Sequence, residues 1–384
     1  MRLVYPLLWS RPDRKACRAQ TMGTVAALAR RGIEVTLLMP QGADDPALGA
    51  SGLRDHFEVE GDFRLVQRRS RWAGEALGRT LMWLRQVFRD PALAQADLLY
   101  SRIPALLGMG QRAPIPFAVD QYRPWPDDLP PIRPLVRRTA RHPKCLGLIL
   151  HSEHAAGAYR RLGVDPAKIL VAHNGAEPSA DGPPGKSEAR ARLGLPAGRP
   201  IAAYAGRVNA RKGLDQLLAL ADLRPEILFL LVGSEGEGAI EAEAAGRANV
   251  QIVPWQAPAD LPAWLAAADV LLVPPSRAPL EQFRDCVLPL KLFAYLAAGR
   301  PILAPEAPDT AELLSDGGNA LLIPPGRPAL AAAALDRIRS ESGLAEALSR
   351  NALASAAGLT WDRRAERIAA FLEARLSAPN KPGR

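Results

Sequence analysis

The chain has 384 residues, 48% of them hydrophobic and 23% charged, with three cysteines and a formal net charge of +9. That length exceeds what one growing core supports, so two domains are expected. Cys17, Cys145 and Cys286 are odd in number and widely spaced, which argues against a disulfide framework and for a reducing compartment. No stretch approaches the roughly 18 apolar residues of a membrane span. The positive charge invites a nucleic-acid reading, but nothing in the chain matches a nucleic-acid module. The excess is uneven: residues 1–178 hold 26 Lys and Arg against 17 Asp and Glu, and residues 179–384 hold 23 of each.

In chain order, residues 1–9 are too short for a signal peptide and read as a first strand. Residues 32–40 read as a second strand, after a helix ending near Arg31. Two basic clusters follow: Arg64, Arg68, Arg69, Arg71, Arg79, Arg85 and Arg89, then Arg133, Arg137, Arg138 and Arg141. Trp72, Leu81, Met82, Trp83, Leu84, Val87 and Phe88 are interleaved with the first. Such a stretch can lie on an anionic membrane face. It can equally be an amphipathic helix whose apolar side is core and whose arginines are wet. Both readings stand at this point. Residues 116–120 and 146–152 look like later strands, and 168–175 like a strand with an Asn-Gly turn. All five histidines lie in this half. His151 and His154, three apart without further ligands, are a weak metal signal. His151 is read as ending a strand and is retained as a cleft residue. The strand and helix alternation points to parallel sheets with crossovers.

Residues 176–199, rich in Pro and Gly, read as a linker. A short apolar run from 201 then ends at Gly206. Arg207, Arg211 and Lys212 place three cations within six residues before a helix pattern begins near Leu214. Residues 227–232 form a continuous apolar run, as a strand buried on both faces does. It leads into Gly233-Ser234-Glu235-Gly236-Glu237-Gly238. Residues 249–254, followed by Trp255, and 268–276 read as further strands. Residues 287–304 read as a loop, a two-turn helix and a buried strand. Pro289 suits a helix entry, where its missing N–H is no loss. The free N–H groups of Leu290 and Lys291, with the Lys291 charge, make an anion site suited to phosphate. Gly299 and Pro301 end the helix. A last helix runs from Trp361 to about Leu376.

The run Gly206-Arg207 to Lys212-Gly213 and the run from Pro289 to Pro301 resemble the donor-site signature of retaining, GT-B-fold glycosyltransferases of family 4. The elements between them occur in the family's order. The resemblance implies an α/β fold with two doubly wound, Rossmann-like domains facing a central cleft, and a C-terminal helix crossing back to the first domain. The expected division is 1–178 for the acceptor domain, 179–198 for the linker, 199–358 for the nucleotide-sugar domain and 359–384 for the crossover helix and tail. In the family pattern Gly206, Arg207 and Lys212 hold the diphosphate, supported by Pro289, Leu290 and Lys291. Gly233 belongs to the Gly-rich loop, and Trp255 stacks on the base or covers the sheet end. Asp285 would lie by the sugar as the catalytic carboxylate, with Arg207 and Lys212 neutralising the leaving group. Asp120 and His151 fall on the acceptor side.

The implied chemistry needs no metal and no resident cofactor, since the nucleotide-diphosphate sugar is a co-substrate. The acceptor is expected to be a glycan or a lipid-linked sugar, the location cytoplasmic or peripheral at an anionic inner membrane face, and nucleic acid is not a partner. Three departures stand out. Ala294 occupies the place of the family's ribose-binding Glu, and Cys286 that of the Glu eight residues earlier, with Asp285 beside it. Gln121 and Tyr122 stand where a His often follows the acidic residue, and no Gly-Gly follows the first strand. Two other readings therefore remain: a GT-B-shaped partner in a polysaccharide-assembly complex, and a nucleotide-sugar epimerase. A nicotinamide dehydrogenase is disfavoured, because no Gly-x-Gly-x-x-Gly follows the first strand.

Overall fold

The structure is a computed structural model that describes residues 1–177, 182–236, 238–283 and 288–377. The chain forms two compact units, Met1–Gly175 with Trp361–Arg384, and Ala176–Thr360.

The first unit is built on seven parallel strands: β1 (Arg2–Pro6), β2 (Glu34–Gln41), β3 (Arg64–Arg69), β4 (Leu98–Ser101), β5 (Phe117–Gln121), β6 (Cys145–Leu150) and β7 (Ile169–Val171). Their order is β3-β2-β1-β4-β5-β6-β7. The inner strands β4, β5 and β6 are buried along their whole length, and β6 accordingly reads as a continuous apolar run. β3 was not foreseen. It is an edge strand holding three of the arginines of the first basic cluster, paired in parallel with β2 from Thr36↔Arg64 to Gln41↔Arg69. The helix Leu77–Val87 answers one question left open above. It buries Thr80, Trp83, Leu84 and Val87, and the Trp83 indole N–H donates to the Leu7 carbonyl at 2.7 Å. These apolar residues are core, and Arg79 and Arg85 form the wet side.

The terminal helix Trp361–Leu376 belongs to this first unit, where Ile368 and Leu372 are fully buried. It lies against the helix Ala16–Arg30 because Gly23 leaves room: a Cβ there would sit 2.7 Å from the Trp361 indole.

The second unit has six parallel strands: β8 (Ile201–Ala205), β9 (Leu228–Ser234), β10 (Val250–Pro254), β11 (Val270–Leu272), β12 (Ile302–Pro305) and β13 (Leu321–Ile323), in the order β10-β9-β8-β11-β12-β13. Apolar clusters cover both faces, one containing Leu230, Leu292 and Tyr295, the other Tyr204, Leu217 and Phe229. The segment read as linker carries the helix Lys186–Leu193, and that helix packs onto this sheet. The Arg190 guanidinium donates to Asp269 Oδ2 at 2.7 Å and to the Ala267 carbonyl at 2.9 Å.

In each sheet the chain order reverses once, between β1 and β4 and between β8 and β11. A doubly wound sheet opens a crevice at the carboxyl ends of the strands at such a point. No described helix is long and apolar enough to cross a membrane.

Candidate active site

The reversal in the second sheet gathers the motifs that the sequence kept apart. β8 ends at Ala205, and Gly206 turns the chain at φ 141°. A Cβ at Gly206 would meet Lys291 Nζ at 2.8 Å, and one at Gly233 (φ 119°) would run into the Gly206 carbonyl. Both positions therefore require glycine, because backbone, backbone and ammonium meet there. The loop from Gly206 continues through a short 3-10 turn, Ala210–Lys212, to Gly213.

The helix Lys291–Ala298 places its first residue at this crevice, with Leu290 as N-cap. The N–H groups of Leu292 and Phe293 are used in the tight first turn, donating to Pro289 and Leu290 carbonyls at 3.1 and 3.2 Å. Those of Leu290 and Lys291 have no hydrogen-bond partner among the described residues. Gly299 closes the helix in the left-handed region at φ 59°.

The Lys291 ammonium sits 3.6 Å from the centroid of the Tyr204 ring, a cation–π contact. Among the described residues it has no carboxylate within ion-pair distance. Burial, reinforced by the positive charge of Lys212, lowers its pKa well below the usual lysine value. Lys212 is lowered by the same two influences, burial first and then Arg207. Arg207 is exposed and meets one carboxylate, with Nε 3.4 Å from Glu235 Oε1 on the Gly-rich loop. Three cations thus converge with little negative charge to answer them, which is costly unless an anion occupies the site.

Two residues here were missed as site residues. The Tyr295 hydroxyl accepts from the Ala205 N–H at 2.7 Å and donates to the Leu272 carbonyl at 3.2 Å. It ties the ends of β8 and β11 together at the reversal, and its place in the Pro289 to Pro301 run was the available signal. The Asn209 side-chain oxygen is buried without a hydrogen-bond partner among the described residues, and its place in the Gly206 to Gly213 run was the signal for it. Trp255 is half-buried and its backbone N–H donates to the Ser234 carbonyl at 2.8 Å. Ala294 packs against the apolar cluster of this face and offers no polar group. Asp285 and Cys286 lie outside the described residues.

Asp120 and His151, placed on the acceptor side by resemblance, are instead buried in the first unit, 0% and 4% exposed. Asp120 Oδ2 accepts from the Tyr100 hydroxyl at 2.7 Å and from Arg364 Nη2 at 2.6 Å, and its Oδ1 lies 2.6 Å from His151 Nε2. Arg364 also donates to Thr24 Oγ1 at 3.2 Å and to the Ala172 and His173 carbonyls. Burial alone would raise the Asp120 pKa, but Arg364 and His151 hold it far below the usual carboxylate value. His151 is lowered to about 4, chiefly by burial, which outweighs the upward pull of Asp120, with the charges of Arg364 and Arg102 adding to the lowering. The pair fastens the terminal helix to the sheet.

Two parallel, doubly wound sheets define an α/β protein, and cations line the reversal in the second. Comparison with known proteins narrows this. The family described as Glycosyl transferases group 1 matches residues 185–354, and Glycosyltransferase Family 4 matches residues 20–180. The chain belongs to these glycosyltransferases of family 4. A D-inositol 3-phosphate glycosyltransferase of Actinosynnema mirum is 31% identical over 244 residues, which are 59% of this chain and 56% of that one. The chain spans about half the length of the curated relatives it matches. Among solved structures, Anabaena Alr3699/HepE in complex with UDP-glucose aligns with a TM-score of 0.69 at 17% identity, covering 97% of this chain and all of that one. Sucrose-phosphate synthase from Thermosynechococcus elongatus aligns at 0.72 with 19% identity, covering 98% of this chain and 100% of the other. At such identities these two establish the GT-B fold.

Proposed function

We propose that the protein transfers a sugar from a nucleotide-diphosphate sugar to a glycan or lipid-linked acceptor, with retention at the anomeric carbon and without a metal. The observation that carries this is Lys291, held against Tyr204 with no carboxylate partner among the described residues and beside Lys212 and Arg207. A donor diphosphate supplies the missing negative charge. In the transfer the acceptor hydroxyl attacks the anomeric carbon on the leaving-group face. The bond from that carbon to the phosphate oxygen breaks, its electron pair stays with the diphosphate, and the leaving phosphate takes the hydroxyl proton. Arg207, Lys212 and Lys291 stabilise the charge that develops. Asp285 is assigned to the sugar side of this reaction. The relative from Actinosynnema mirum bears the name of an inositol phosphate glycosyltransferase, and an acceptor bearing a phosphate suits the basic first unit.

That surface also supports a place at an anionic membrane. Leu129 and Leu135 are 45% and 42% exposed beside Arg133, Arg137, Arg138 and Arg141. Co-sedimentation with vesicles containing anionic lipid, weakened by salt, is the expected result.

Calorimetric titration with UDP, GDP and ADP tests the donor site. Saturable binding of one nucleotide, lost in Lys212→Ala, is expected, followed by acceptor-dependent nucleotide release. A second reading, a non-catalytic member of a polysaccharide-assembly complex, is favoured by Ala294, which leaves the ribose without its carboxylate. Absence of nucleotide binding in all three titrations would establish that reading in place of the first.

A further inference from the structure

The second unit is acidic overall, with 17 Lys and Arg against 21 Asp and Glu. Six of those cations nevertheless line one cavity of about 680 Å³: Lys186, Arg190, Arg199, Arg300, Arg339 and Arg350. The acidic lining residues are Asp269 and Glu346. Pro200, Asp269 and Pro301, which immediately precede β8, β11 and β12, place the cavity at the starting edge of the strands. The Gly206 to Gly213 loop leaves the opposite edge, so the cavity is separate from the donor cradle.

The charges in this cavity do not balance. Asp269 is already held by Lys186 at 2.8 Å and Arg190 at 2.7 Å. Arg339 pairs with Glu226 at 2.8 Å. Arg199 gives Nε and Nη2 to the Glu226 and Pro225 carbonyls at 3.1 and 3.0 Å. Arg300, half-buried, makes one hydrogen bond among the described residues, from Nε to the Ala266 carbonyl at 3.0 Å. Its terminal nitrogens are left over. Burial lowers its pKa, with Asp269 opposing and Arg190 adding to the effect. Arg350 has no hydrogen bond or ion pair among the described residues.

We infer that this cavity binds a small ligand carrying two or more phosphate groups, gripped by Arg300 and Arg350 and flanked by Arg199 and Arg339. The volume lies within the range of roughly 300–1,000 Å³ usual for small-molecule sites. Guanidinium forks match phosphate oxygens in pairs, as lysine does not. The ligand would end the imbalance that the cavity's own two carboxylates leave. It also touches the donor cradle at one remove, since the helix Lys291–Ala298 has a cradle cation at its start and Arg300 two residues beyond its end.

The test uses the full chain carrying Lys212→Ala, so that the donor cradle is impaired and its fate does not decide the outcome. Inorganic pyrophosphate is titrated by calorimetry. Saturable binding is expected, weakened about tenfold or more by adding Arg300→Gln and Arg350→Glu, a loss of about 1.4 kcal/mol. Arg350→Glu alone, at an exposed position, should weaken binding several-fold with no change in melting temperature. Binding that ignores both changes, or that never saturates, overturns the inference. A parallel titration with UDP separates the sources: displacement of pyrophosphate supports a nucleotide as occupant, and indifference to UDP supports a free phosphorylated metabolite.

Discussion

The two sheets follow one plan and differ in what becomes of charge near the carboxyl ends of their strands. In the first unit the charges close on one another: Asp120 is enclosed by Arg364, His151 and Tyr100. In the second, Lys291, Lys212 and Arg207 converge and, among the described residues, find one exposed carboxylate, Glu235. A matched buried set holds a fold together, while an unmatched one identifies a ligand by its sign. Charge near the strand ends is thus closed on itself in the first unit and left open in the second.

Four measurements break or sharpen that contrast. The largest effect is expected from Arg364→Met, which leaves Asp120 buried and unanswered. It should cost the first unit about 3–5 kcal/mol in denaturant unfolding, and a mild effect would mean that the network is not closed. Acid should come next. Folded His151 takes its proton only at about 4, against an ordinary value of 6.5. Between these values the unfolded chain binds more protons, so stability rises with pH across the window and is lost on acidification, by on the order of 2–3 kcal/mol. His151→Gln should flatten that dependence in unfolding curves taken from pH 4 to 7.

Lys291→Met should move two readouts in opposite directions. Nucleotide binding should weaken by about 1.5–3 kcal/mol, while the empty protein melts about 2–4 °C higher, the shift of roughly 1 kcal/mol in a unit of this size. The sign follows from its lowered pKa: below the ordinary lysine value of ~10.4 the unfolded chain holds the proton more tightly, so the charged side chain opposes folding until an anion arrives. Loss of both binding and stability would mean that Lys291 is a structural cation after all. The smallest effect is expected from Tyr295→Phe, which strands the Ala205 N–H and should lower stability by about 1–2 kcal/mol.

Much of the second unit was legible because its chemistry is local. Gly206, Arg207 and Lys212 lie within one loop, and Pro289 to Gly299 within one short helix, so motif and site coincide. The strands that escaped notice escaped for physical reasons. β4 and β13 are four and three residues long, too short for a period to register, and no turn or motif flags them as it does the equally short β7 and β11. β3 is an edge strand whose six residues include three arginines, so it shows no apolar face. The role of Asp120 and His151 was out of reach because their partner Arg364 lies 244 residues from Asp120. Nothing in the local pattern of residues 116–120 or 146–152 distinguishes a carboxylate waiting for a substrate from one waiting for a distant helix.

That distance bears on synthesis. The second unit is continuous, residues 176–360, while the first is interrupted by it and resumes only at Trp361. As the chain leaves the ribosome, the unit made second is the first to have all its parts. The one begun earlier must wait, with Asp120 lacking its guanidinium and Gly23 lacking the Trp361 indole it makes room for. A nascent chain with residues up to 360 clear of the ribosome should therefore present a finished second unit and an incomplete first one, its apolar surface exposed until the last helix is made.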